Sequence, residues 1–269
     1  MLVGKAHPTM SRQIYVSMLP SLIDASSLTG GMAVVIDVLR ASTTASAALS
    51  AGVKRLIPFA SIDETRRFAE QLAKSGETPL LGGERGGSKI DGFDLGNSPL
   101  EYTAETVGGR TILFTTTNGT RALLGVGNAD WVAMGCFTNL SAIADRLAEG
   151  SGNIHLVCAG TNGQVTLEDV LAAGAIATTV RNRTTGIEWG NDETAIAIGL
   201  HDCHAGPEAR LAALRSSRGG RNLIEAGRDA DIPICAEENR YATIPVLENG
   251  SLVSETLPTP ATEDEDWSI

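Results

Sequence analysis

The chain has 269 residues, 42% hydrophobic and 20% charged, enough apolar material for one large domain or two small ones with a real core. Its net charge is −11, and five acids (Glu255, Glu263, Asp264, Glu265, Asp266) fall in the last fifteen residues without a base among them, which leaves residues 1–254 at −6. That balance argues against a general nucleic-acid surface, and 4% aromatics against an extended stacking platform.

Residues 1–12 read as a loose leader and Gln13 to Ser17 as a short strand. Pro8, Arg12, Gln13, Pro20 and Asp24 interrupt any apolar signal segment, and no later run approaches membrane-span length. The four cysteines show no close-paired spacing and read as reduced thiols. A cytoplasmic protein without membrane or nucleic-acid partners is expected, its oligomeric state left open, a homo-oligomer included.

After a loop with Pro20 and Gly30-Gly31 comes Val34-Val35-Ile36, a β-branched run suited to a strand buried on both faces. Asp37 ends it, a carboxylate hard to keep ionised in a core unless something binds it. Arg40 follows, and Ser42, Thr43 and Thr44 open an Ala-rich helix, so hydroxyls and free N–H groups gather at a positive helix end. This set suits an oxyanion with its metal ion. It suits equally a strand-ending aspartate paired with an arginine and followed by a threonine cap.

Lys54 to Phe59 reads as a strand, Asp63 to Lys74 as a helix, and Pro79 to Leu81 as a strand entering a loop, Gly82 to Gly87, that holds Glu84 and Arg85. In Asp91 to Pro99, Asn97 or Ser98 can cap a turn with Pro99 at its first helical position. Strands are expected at Thr111 to Thr115, Trp131 to Met134 and Ile154 to Cys158. Helices are expected around Ala122 to Leu124, at Leu140 to Ala148 and at Leu167 to Val180. The alternation predicts an α/β fold of three layers, α/β/α, with a mostly parallel sheet covered on both faces and ligands beyond the strands' carboxyl ends. Past residue 185 it weakens: Thr194 to Leu200 and Glu208 to Leu214 look helical, Ser216 to Arg221 reads as a polar Gly turn, and Thr243 to Val253 as a hairpin adding an antiparallel edge, which makes the sheet mixed. Residues 1–254 are expected to form a single domain and 255–269 an acidic disordered tail.

Two further loops follow strands. Thr115 to Thr120, with Asn118-Gly119, can form a phosphate nest or a plain capped turn. Cys158 to Gly163 precedes Glu168-Asp169 in a helix's first turn, where acids are ordinary dipole partners. Several chemistries are excluded. Lys89 follows Ser88 instead of preceding it, against a P-loop, and Leu39 stands where a haloacid-dehalogenase-type phosphatase has its second Asp. No cysteine has an arginine six residues on, against a thiol phosphatase. His201-Asp202-Cys203-His204 has no second ligand pair and reads as a helix terminus.

Val34 to Thr44, Gly83-Glu84-Arg85, Gly92 to Pro99, Thr115 to Thr120, and Cys158-Ala159-Gly160 with Glu168-Asp169 resemble, in order, the motifs of the 2-phosphosulfolactate phosphatase (ComB) family, over about residues 13 to 250. The resemblance implies an α/β phosphatase, dependent on Mg²⁺, that converts (2R)-2-phospho-3-sulfolactate to 3-sulfolactate and phosphate in coenzyme M biosynthesis. Combined with the residues, it points to Asp37, Glu84 and Asp169, with Glu168, as metal ligands. Arg40 and Arg85 would grip the phosphate and sulfonate, while Thr43, Thr44, Asn118, Gly119 and Thr120 cradle oxygens. Asp37, Arg40 and Glu84 are the candidate catalytic groups, Asp37 serving alternatively as nucleophile. Hydrolysis of another small phosphorylated hydroxy acid, or non-catalytic sensing of a phospho-ligand, are the alternatives.

Overall fold

The computed structural model describes residues 11–256. The chain runs β1 (Arg12–Ser17), β2 (Met32–Ile36), α1 (Ala41–Ser50), β3 (Arg55–Pro58), α2 (Ile62–Lys74), β4 (Leu80–Arg85) and β5 (Ser88–Lys89). It continues through α3 (Ala104–Val107), β6 (Thr111–Thr115), α4 (Gly119–Gly125), β7 (Trp131–Gly135), α5 (Leu140–Glu149), β8 (Ile154–Cys158) and α6 (Leu167–Arg183). Then follow β9 (Ile187–Trp189), α7 (Asp192–Cys203), α8 (Pro207–Ser216), α9 (Arg218–Glu225), α10 (Asp231–Cys235), β10 (Thr243–Glu248) and β11 (Ser251–Thr256).

The described strands form one mixed, mostly parallel sheet in the order β5-β4-β6-β3-β11-β10-β7-β2-β8-β1-β9. Helices cover both faces, as the alternation predicts. Along β2 the pleat divides the core: Val34 and Ile36 join one apolar cluster with α5 and α6, while Ala33 and Val35 join the other with α1. Helix α1 is buried from Ala41 to Leu49, which only a helix of small residues tolerates at this packing density. Helix α2, by contrast, buries only Thr65. It is held at its ends by the Ser61 cap, by Asp63 and Glu64 in its first turn and by Lys74 in its last.

Hairpin β10–β11 is antiparallel, as the Glu248-Asn249-Gly250-Ser251 turn suggests, but it does not lie at an edge. It is inserted between β7 and β3, antiparallel to each. Its first four residues and Leu252 are buried, too apolar for an edge strand. The hairpin thus splits the parallel strands into two blocks, β4-β6-β3 and β7-β2-β8-β1-β9, that run in opposite directions. Strand β4 also extends further than expected, through Glu84 to Arg85, with Gly86-Gly87 as its turn into β5. Gly83 makes this extension compatible with pairing to β6: a Cβ there would lie 2.0 Å from the Thr115 carbonyl oxygen.

The ends differ from expectation as well. Arg12 belongs to β1, where its Nε donates to the Gly152 carbonyl at 2.7 Å, and Glu255 belongs to β11, where it accepts from Arg146 Nε at 2.6 Å. Residues 1–10 and 257–269, the rest of the expected leader and tail, lie outside the described residues. Cys136, Cys158 and Cys235 are buried free thiols and Cys203 is an exposed one. No helix of the described residues is long and apolar enough to cross a membrane.

Candidate active site

The carboxyl ends of strands from both blocks converge on one cavity of about 430 Å³. Asp37 follows β2, Glu84 is the penultimate residue of β4, Thr117 and Asn118 follow β6, and Thr161 and Asn162 follow β8; all line it, with Arg40 and Asn97. The loops that line it therefore come from two blocks of one sheet that run in opposite directions.

The turn bearing Asp37 is locked by its own groups. Asp37 N–H donates to Ser42 Oγ at 2.9 Å, the Asp37 carbonyl accepts from Ser42 N at 2.9 Å, and Asp37 Oδ1 accepts from Ala41 N at 3.1 Å. One carboxylate oxygen thus caps α1. The other, Oδ2, lies over Gly119, where a Cβ would come within 2.6 Å of it. Glu84 is held just as firmly, Oε1 accepting from Thr117 N and Oε2 from Gly87 N, both at 2.8 Å. Burial, with the Glu84 and Glu168 carboxylates nearby, raises the Asp37 carboxyl to about 7 against the pull of the Ala41 N–H and Arg40.

Arg40 is 3% exposed. Its Nη1 donates to Asp231 Oδ2 at 2.5 Å and its Nη2 to the Gly87 carbonyl at 3.0 Å. Asp231 Oδ1 in turn accepts from Ser98 Oγ at 2.6 Å. Two of the five guanidinium N–H groups are used in this way, which fixes the plane and leaves donors for a ligand.

The remaining predicted residues divide. Asn118 lines the cavity, its Oδ1 accepting from Asn162 N at 3.1 Å, and Gly119 lies beneath Asp37. Thr43, Thr44 and Thr120 do not reach it: Thr43 Oγ1 donates to the Val38 carbonyl, Thr44 Oγ1 to the Asn97 carbonyl, and Thr120 is paired with Thr116. Arg85 turns outward, donating to Thr115 Oγ1 at 2.9 Å. Asp169 sits behind the strand ends, Oδ1 accepting from Val38 N and Oδ2 from Gly160 N and Thr166 Oγ1, so it clamps the loops after β2 and β8 together. Burial, then Glu168 and Asp37, raise its carboxyl well above the usual range. Glu168 lies against Gly219, its other oxygen buried without a hydrogen-bond partner, and burial raises it too.

Contributors that the sequence reading did not assign to a site include Asn97, there only a possible turn cap, Asp231, Glu225, Asn222 and Gly219. The last three come from α9, where a polar Gly turn was expected. Ser217 caps that helix by accepting from Gly220 N at 3.0 Å, and α9 closes one wall of the cavity. The Ser216-Ser217 pair ahead of Arg221-Asn222-Leu223 is the signal that could have marked a helix start.

The side chains of the cavity that could ligate a cation all offer oxygen, with no thiol or imidazole among them: the carboxylates of Asp37, Glu84 and Glu225, the amides of Asn97, Asn118, Asn162 and Asn222, and the hydroxyls of Ser88, Thr117 and Thr161. Such a set fits a hard divalent cation better than a soft one. No group of three or more His, Cys, Asp or Glu among the described residues forms a self-sufficient cage. Mg²⁺ does not need one, since it keeps waters and shares ligands with substrate phosphate.

Fold and cavity together define the class, an α/β protein with an oxygen-lined site for a small polar ligand where strand ends meet. The family model for 2-phosphosulpholactate phosphatase matches residues 17–250. Relatives named probable 2-phosphosulfolactate phosphatase include one from Symbiobacterium thermophilum, 40% identical over 231 residues, which are 85% of this chain and 96% of that protein. Another, from Thermotoga maritima, is 39% identical over 84% of this chain and 93% of its own length. A third, from Caldanaerobacter subterraneus subsp. tengcongensis, is 38% identical over 81% and 88%. The chain belongs to the 2-phosphosulpholactate phosphatase family, a family of phosphoric monoester hydrolases.

Proposed function

We propose that this chain is an Mg²⁺-dependent phosphatase that hydrolyses (2R)-2-phospho-3-sulfolactate to 3-sulfolactate and phosphate, in the cytoplasm, as a step of coenzyme M formation. What carries the reading is the meeting of Asp37, Glu84 and Arg40, far apart in sequence, in one cavity of a chain that belongs to this family. Two carboxylates there repel an anion, and Arg40 is already partly neutralised by Asp231. A substrate that carries phosphate, carboxylate and sulfonate together, about four negative charges at neutral pH, therefore needs a cation alongside it.

Asp37 and Glu84 would hold the ion. When bound, Mg²⁺ supplies charge neutralisation at the phosphoryl oxygens and lowers the pKa of water. Arg40, fixed by Asp231 and Gly87, orients an anionic group of the substrate in one plane. Asn118 and the α9 wall would flank the acid at its sides. The test is phosphate release by the purified protein from 2-phosphosulfolactate and from a panel of phosphorylated hydroxy acids, with Mg²⁺ and with EDTA. Release confined to the sulfonate and abolished by EDTA is expected. Undiminished release in EDTA would remove the metal, and a preferred carboxylate would replace the substrate.

A further inference from the structure

Asn97 is 5% exposed and lines the cavity, yet neither atom of its side-chain amide hydrogen-bonds to a described protein group. Its Oδ1 is buried outright without a donor. A buried amide left in this state is costly, and in a native fold it calls for a reason. Looseness of the loop is not the reason, because the backbone is pinned on every side. Thr44 Oγ1 donates to the Asn97 carbonyl at 3.0 Å, Tyr102 Oη to the Gly96 carbonyl at 2.8 Å, and Ser98 Oγ to Asp231 at 2.6 Å. The framework thus positions an amide and gives it nothing to bind. The cavity holds a second such group, the Thr117 hydroxyl, also buried without a partner.

We infer that Asn97 is a substrate-binding residue: neither end of its carboxamide is held by the protein, so the group can turn its Nδ2 to donate to an anionic oxygen of the bound acid on the side of Arg40, with Oδ1 left to accept from water. The inference rests on the cavity being the phosphoester site. Position supports the choice of side: Ser98, the next residue, bonds to Asp231, which holds Arg40, and Arg40 and Asn97 line the same cavity. A neutral donor there adds directionality without the further desolvation of a second charge.

The test separates binding from structure. Calorimetric titration with inorganic phosphate and with 3-sulfolactate, both in Mg²⁺, is run on wild type, Asn97→Ala and the isosteric Asn97→Asp, alongside thermal unfolding of each. The expected result is a Kd raised roughly ten- to hundredfold for at least one ligand in both variants, more in Asn97→Asp, where a carboxylate faces the anion. The melting temperature of Asn97→Ala should match or exceed wild type, because no protein hydrogen bond is removed, whereas Asn97→Asp should melt lower, since it buries a further carboxylate in a cavity that already holds Asp37 and Glu84. Unchanged affinities for both ligands would overturn the inference, and so would a melting temperature lowered in Asn97→Ala. If wild type binds phosphate and the variants do not, while nothing in the panel is hydrolysed, the phosphatase reading fails and this assignment stands.

Discussion

Replacing Asp37 by Asn should stabilise the protein above neutral pH while abolishing turnover. The carboxyl is displaced from 3.8 to about 7, first by burial and then by Glu84 and Glu168. Between those values the native state holds a proton that the unfolded chain has released. Stability therefore falls as pH rises through this window, and the full cost is present above the native pKa. That displacement corresponds to about 4 kcal/mol. Asparagine keeps an oxygen to accept from Ala41 N–H and carries no charge, so the cost is removed and the cap of α1 retained. Thermal unfolding of both proteins between pH 4 and 9, without Mg²⁺, should give coincident transitions at the acid end. The variant should melt higher by roughly ten degrees at pH 8. Adding Mg²⁺ should narrow the gap by raising wild type alone. A gap that does not change with pH, or a variant less stable at pH 8, would refute the electrostatic account.

Asp231→Ala leaves the Arg40 guanidinium buried and unpaired and should cost about 3–5 kcal/mol in urea unfolding, most of it recovered in the double variant Arg40→Met/Asp231→Leu. If Asp231→Ala unfolds like wild type, the pair is not buried as described. Gly119→Ala would bring a methyl within 2.6 Å of both Asp37 Oδ2 and the Ala41 Cβ, displacing the carboxylate, and kcat/KM should fall roughly a hundredfold. Activity near wild type would show that Asp37 need not hold that position. Arg85→Ala removes a guanidinium that turns away from the cavity, so kcat/KM should stay within about twofold. A larger loss would place Arg85 at the ligand.

Which parts of this molecule can be read from its sequence follows from the range of the forces involved. Strand β2, its terminal Asp37 and helix α1 are local events: a β-branched run, a charge where burial ends, and a capped run of small residues. So are the Asn118-Gly119 turn and the Ser98-Pro99 start of a 3₁₀ turn. Asp231 is different, because its role is to neutralise Arg40, 191 residues away, and no spacing announces such a partner. Asp169 shows the converse. An acid in a helix's first turn has the same signature whether it binds a ligand or accepts from backbone, and here Val38 N, Gly160 N and the Thr166 hydroxyl occupy both its oxygens. The hairpin's turn is local and legible. Its place between β7 and β3 depends on which edges the rest of the fold leaves to be covered.

That placement decides what the site can be. Had β10–β11 capped an edge, as an antiparallel hairpin usually does, β2 and β4 would belong to one parallel sheet and the cavity would be a crevice between neighbouring loops. Inserted centrally, the hairpin separates the two blocks, and Asp37 from the second meets Glu84 from the first in one cavity. Two carboxylates brought together in this way repel each other. Neither can relax, because each is fixed by backbone N–H groups that are themselves part of a strand end or helix start. The repulsion is therefore built into the fold and is relieved by a cation or a proton. Above neutral pH a protein that keeps such a pair buried is less stable than its charge-neutral variant, and a ligand cation that binds only the native state would offset part of that difference.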